Sequence, residues 1–406
     1  MTPSATAGVR PSWRHFALSL TVLTIGLVPL SGRAKTVRDS VRSLEPNRAE
    51  REAGAAGYYE GLMGVEAGQG TRGELSLRLL GKPTEWVRFQ AANVSRPIAS
   101  DFLVFELKPN VDTVLFGHRF TTNTDGMRDR EYRKEKPPGT TRIVLLGSSI
   151  DMGWGIGTDD TYANLLEDWL NLHSLRHHLG RRYEVLNFAV AAYGPAQRLE
   201  AFRRKAVGFE PDLVLYSATM LDPRLLEIHL GNVLQNQVDL HYDFLRECIA
   251  DAGITEADLR LDSSGAFVDK AAVKNKVGAR FWNFQDAILG DLAARCRSLD
   301  VPLALLIVPR AGRSDAPEAR ALPVARYKGV AAHHAIPVID LTDSFDKLDP
   351  SKVEIAAWDD HPNVEGHRRL FLGLARALVA HPELSKSLFS TNGSDGLTEP
   401  SKTALP

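Results

Sequence analysis

Two adjacent serines, Ser148 and Ser149, follow a short apolar run (RIVLLG, residues 142–147) and precede three glycines, Gly153, Gly155 and Gly157. Such a turn can seat a nucleophile, cradle a phosphate or simply reverse the chain. The phosphate option lacks its parts, since neither a P-loop Lys-Ser/Thr pair nor a G-x-G-x-x-G follows the run directly. A serine hydroxyl becomes a useful nucleophile only with a base to take its proton and donors to hold the oxyanion. The segment WDDHPNVEGHRRL, residues 358–370, offers the base. Asp359 and His361 are two residues apart, so in extended chain both project to one side. The carboxylate can then reach Nδ1 and leave Nε2 to face Ser149.

A metal centre built from Asp359, Asp360, His361 and His367 is disfavoured. The two histidines are six apart, which does not align them on one helix face, and no further cluster completes a ligand set. No metal or cofactor is therefore expected, and Asp360 can act as an ordinary helix cap. His333 and His334 precede another apolar run with no partner in view and read as surface residues.

The elements that must position these groups are legible as five apolar runs, at residues 142–147, 183–190, 213–218, 303–308 and 336–341. Continuous rather than alternating hydrophobicity indicates strands covered on both faces, and the intervals are long enough for crossover helices. Leu165, Leu166, Trp169 and Leu170, then Leu199 with Phe202 after Pro195, then Leu370, Leu374 and Leu378, carry helical spacing. The expected fold is a three-layer α/β/α domain with a five-stranded, mostly parallel, doubly wound sheet of the flavodoxin-like kind. Chemistry in such sheets lies beyond the carboxyl ends of the strands, where Ser149 falls. A long connection at about residues 223–279 reads either as a lid or substrate platform over that face or as a packed surface helix pair.

With 49 Lys+Arg against 50 Asp+Glu, the chain has no net charge bias, and nucleic-acid binding is not expected. Arg10 and Arg14 precede an uncharged apolar run at residues 16–30, and Gly32-Arg33-Ala34 has the small-x-small form of a cleavage site. Residues 1–34 thus read as a signal peptide or membrane anchor, placing the protein in the periplasm, outside the cell or on the outer face of the membrane. Residues 35–140 read as a polar stalk and pre-domain ending in the KEKPPGTT linker, residues 141–384 as the main domain, and residues 385–406 as a disordered tail. Cys248 and Cys296 lack metal or redox spacing and can form one disulfide only if the compartment is oxidising.

Three blocks together resemble the GDSL or SGNH hydrolase family, over roughly residues 141–380. Gly147-Ser148-Ser149 is similar to the family's Gly-Asp-Ser, WDDHPN to the block carrying its Asp and His, and LNFAVAAYGPAQ, from Leu186, to the block whose glycine lends a backbone N–H to the oxyanion hole. The resemblance implies a Ser149–His361–Asp359 triad, with the Ser149 and Ala192 amides as oxyanion donors. Two departures stand out. Ser148 replaces the aspartate before the nucleophile, and Leu221, in PDLVLYSATMLDP, occupies the place of the family's asparagine donor, leaving Thr219 or Ser217 as substitutes. The implied activity is an exported serine esterase that deacetylates, or transfers acetyl groups on, an envelope or extracellular carbohydrate. The alternative is a catalytically weak relative that binds or assembles envelope glycan.

Overall fold

The computed structural model describes residues 89–311 and 317–389. The apolar run at residues 16–30, the proposed cleavage site and the last residues of the chain lie outside them. Among the described residues, no helix is long and apolar enough to cross a membrane.

Before the sheet, residues 89–139 contribute two small antiparallel pairs, β1 (Ser95–Pro97) with β2 (Phe105–Leu107), and β3 (Asp112–Leu115) with β4 (His118–Thr121). The β3–β4 connection needs left-handed backbone at Phe116 (φ 55°) and Gly117 (φ 78°), the conformation of a tight hairpin turn. The central sheet comprises β5 (Thr140–Leu146), β6 (Arg182–Asn187), β7 (Leu213–Ala218), β8 (Leu303–Ile307) and β9 (Val338–Asp340), in spatial order β6-β5-β7-β8-β9. Every pairing is parallel, so the sheet is wholly rather than mostly parallel. This is the doubly wound order whose switch point lies beside the first strand, here β5.

Alternate strand residues serve opposite faces. Val144, Leu146, Val214, Tyr216, Leu305 and Ile307 pack into one buried cluster. Ile143, Leu145, Leu213, Leu215, Ala304 and Leu306 pack into the other. The helices covering these faces are α2 (Tyr162–Arg176), α3 (Pro195–Arg204), α4 (Asp222–Gln235), α7 (Phe281–Ser298), α8 (Pro317–His333) and α9 (Val364–Ala380), and α1 (Ser149–Met152) is a single turn.

The long connection is not a lid. Its first helix, α4, sends Leu226, Leu230 and Val233 into the first cluster, as a crossover helix does. In α5 (Asp243–Asp251) and α6 (Lys270–Ala279), Leu245, Ile249 and Val277 join the same cluster. Residues 385–389, expected to belong to a disordered tail, are instead helical, since α10 (Pro382–Phe389) buries Leu384 and Leu388 in the second cluster. Cys248 and Cys296 are both free and buried.

A third apolar cluster joins the early hairpins to the carboxyl edge of the sheet. Phe89, Phe105, Leu115 and Phe120 pack with Met152 and Trp154 after β5, with the Ala189–Tyr193 segment after β6, and with Leu225 of α4. The segment before the linker therefore packs on the loops where a doubly wound sheet carries its chemistry.

Candidate active site

Gly147 leads from β5 into the serine turn, and a Cβ at that position would meet Asp151 Oδ2 at 2.2 Å. Only glycine leaves room for the buried Asp151 carboxylate, which accepts the Ser148 N–H at 2.7 Å and the Tyr162 hydroxyl at 2.5 Å. Burial pushes the Asp151 pKa above the ordinary carboxylate value. Ser149 opens the four-residue α1, closed by Gly153 in the left-handed region at φ 83°. The exit from that helix is held by Arg128, whose guanidinium donates to the carbonyls of Met152, Gly153 and Ile156 and lies 4.7 Å from the Phe120 ring. Burial lowers the Arg128 pKa to about 10.

The base arrives on β11 (Asp359–Pro362), paired antiparallel with β10 (Glu354–Ala356). Extended backbone puts Asp359 and His361 on one side. His361 Nδ1 lies 2.5 Å from Asp359 Oδ1, and Ser149 Oγ lies 2.7 Å from His361 Nε2. Ser149 is 5% and His361 7% exposed, so the hydroxyl and imidazole meet in a largely water-excluded place. Asp359 also accepts the His361 N–H at 3.1 Å and the Trp154 indole N–H at 3.0 Å. Burial alone would raise the Asp359 pKa, but His361 and these donors hold it below the usual range. Burial opposes the charged imidazole of His361, and the Asp359 carboxylate outweighs it, leaving the His361 pKa above 6.5.

Asp360 does not cap the following helix. Asn363 does, its side chain accepting the Gly366 N–H at 3.0 Å, and Pro362 ends β11 just before it. Asp360 pairs with Arg310 at 3.1 Å. Ligand-type atoms of Asp359, Asp360 and His361 lie within 4.8 Å of one another, but His361 spends one nitrogen on Asp359 and the other on Ser149. His367 lies apart from that group, its Nδ1 accepting the Tyr162 N–H at 3.2 Å, and burial drives its pKa to about 3.

The loop after β6 is tied to the serine turn by Asn187, which donates to the Asp151 carbonyl at 2.8 Å and accepts the Ala189 N–H at 3.1 Å. Ala192 takes φ 67° in the left-handed region, strained for any residue with a Cβ. The Ser149 and Ala192 N–H groups have no protein acceptor among the described residues. Leu221 stands at the N-cap of α4, half-buried against the third cluster. The suggested substitutes are occupied or enclosed. The Thr219 hydroxyl lies 3.2 Å from Asp222 Oδ1, and Asp222 is itself in a fully buried two-point ion pair with Arg198. Ser217 is fully buried within β7.

Sequence reasoning missed three residues here. Trp154 and Asp151 sit in the serine turn itself, and the indole beside the glycines was a visible signal. Arg128 lies ahead of the linker, and only the fold brings it to the site.

No family model matches the chain, and no curated protein matches it in sequence. Among solved structures it is similar to TesA, at 17% identity over 59% of this chain and 98% of that one, with a TM-score of 0.36. LAE5, an α/β hydrolase enzyme from the metagenome of Lake Arreo, is 18% identical over 58% and 94%, with a TM-score of 0.36. Axe2, an acetylxylan esterase from Geobacillus stearothermophilus, is 15% identical over 58% and 93%, with a TM-score of 0.37. The functional reading of this chain rests on the geometry of its own site.

Proposed function

We propose that the protein is a serine esterase of the SGNH type. The observation that carries this is the relay in which Ser149 Oγ stands 2.7 Å from His361 Nε2 while His361 Nδ1 stands 2.5 Å from Asp359. In the reaction, Ser149 Oγ attacks an ester carbonyl and His361 Nε2 takes its proton, with Asp359 stabilising the imidazolium. The oxyanion forms within reach of the Ser149 and Ala192 amides. His361 then returns the proton to the leaving alcohol, and an acyl group remains on Ser149. Water, or a second sugar hydroxyl, gives its proton to His361 and takes the acyl group, and His361 returns that proton to the departing Ser149 Oγ.

The substrate class follows from the resemblance together with the basic-then-apolar pattern of residues 1–34: an acetylated carbohydrate outside the cytoplasm. Leu221 favours a second reading, a glycan-binding protein with little turnover. Acetate release from p-nitrophenyl acetate and from acetylated glycans separates the two. The proposed enzyme turns over, and Ser149→Ala lowers kcat by roughly 10⁶-fold, the scale seen when a triad nucleophile is removed. Undiminished release by that variant contradicts the assignment, and glycan binding without any release supports the second reading.

A further inference from the structure

His333 and His334, expected from the sequence as surface residues, share a partner. His333 ends α8 and His334 follows it, and their rings lie 4.5 Å apart. Both turn toward Asp286 of α7, with His333 Nδ1 at 2.8 Å and His334 Nε2 at 3.1 Å from the same oxygen, Oδ1. All three ligand-type atoms lie within 4.8 Å of one another. We propose that Asp286, His333 and His334 bind a divalent transition metal ion of the zinc type, a site separate from the esterase centre.

The donor chemistry suits that class of ion, since two imidazole nitrogens and one carboxylate oxygen are common zinc ligands. The spacing suits it as well. Ligands at about 2.0–2.1 Å from a tetrahedral zinc stand roughly 3.3 Å from each other, close to the two Asp286–histidine distances. Binding thus needs only a small spreading of side chains on the rim of two packed helices.

A second feature shows that the His334 ring has a place made for it. Gly290 lies one turn after Asp286 on α7, and a Cβ there would meet His334 Cε1 at 2.8 Å. Glycine lets the imidazole lie against α7 with Nε2 at the carboxylate. His333 remains largely exposed, with its side chain 68% accessible, whereas that of His334 is 16% accessible. An ion can therefore enter from the His333 side with water filling the fourth position. Because α7 precedes β8 and α8 follows it, bound metal would tie together the two helices flanking that strand.

Calorimetric titration of the full chain with Zn²⁺ tests this, with Co²⁺ as a visible-absorption probe of four-coordinate geometry. One ion binds per chain. His334→Ala and Asp286→Asn each weaken binding by about a hundredfold, and Gly290→Ala weakens it less by displacing the ring. His361→Ala leaves it unchanged, which separates this site from the Asp359–Asp360–His361 group. Absence of a one-to-one event, or binding lost in His361→Ala but kept in His334→Ala, overturns the proposal.

Discussion

The two sides of Ser149 are furnished unequally. On the base side, Asp359 receives three hydrogen bonds, from the His361 ring, the His361 amide and the Trp154 indole. The Trp154 ring in turn lies 4.5 Å from Phe116 at the tip of the early hairpin and 5.8 Å from Phe89. On the proposed oxyanion side, the mechanism draws on two backbone amides, one of them at left-handed Ala192, with apolar Leu221 in place of a side-chain donor. The proton-relay half is over-determined, whereas the proposed charge-stabilising half would rely on main chain alone. On this proposal, base chemistry and oxyanion stabilisation sit on different elements, and each should be open to perturbation without the other.

The largest effect should come from the base side. Asp359→Asn removes the charge that stabilises the imidazolium and the acceptor that fixes its tautomer, and kcat should fall about 10⁴-fold. It should also move the acid limb of the pH profile. Catalysis needs neutral imidazole, and the wild-type His361 pKa is held above 6.5, so kcat/KM rises with pH through a point above that value. Without the carboxylate, burial is left to disfavour the charged ring and the limb moves to lower pH. A limb that stays in place would show that Asp359 does not govern His361.

Next in size is a gain on the other side. Leu221→Asn restores a side-chain donor where α4 begins, and where such donors have been removed from other hydrolases the cost is about 10²–10³ in rate. An increase in kcat toward that range identifies the oxyanion side as rate-limiting. No gain in a folded variant would place Leu221 outside reach of the oxyanion.

The smallest effect concerns Trp154. Trp154→Phe keeps the packing against Phe116 but deletes the hydrogen bond to Asp359. A bond to a charged group is worth about 1.5–3 kcal/mol, so kcat should fall roughly 10- to 100-fold with KM little changed, and the acid limb should shift as the carboxylate reorients. A KM-only change would mean that Trp154 touches substrate and does not position the base.

The strands, their parallel pairing and the serine turn were legible because unbroken apolar runs such as LVLYSA read directly as doubly covered strands. The Asp359–His361 relation was legible because a two-residue spacing in extended chain has one geometric meaning. Arg128 and Phe116 were not, because their roles depend on long-range packing between residues 89–139 and the loops of the sheet. His333 and His334 looked partnerless because Asp286 lies 47 residues from His333 in the chain and meets it only across two helices. Asn363 displaced Asp360 as the helix cap because β11 continues one residue beyond His361, delaying the first turn of α9.

The central claim is that Ser149 is made nucleophilic by His361 and Asp359. The most direct measurement is labelling of the intact protein with a fluorophosphonate, read by peptide mass spectrometry at neutral pH and again in His361→Ala. The account predicts a single adduct on Ser149 that disappears in the variant. An adduct on a different serine, or none in active folded protein, would contradict it.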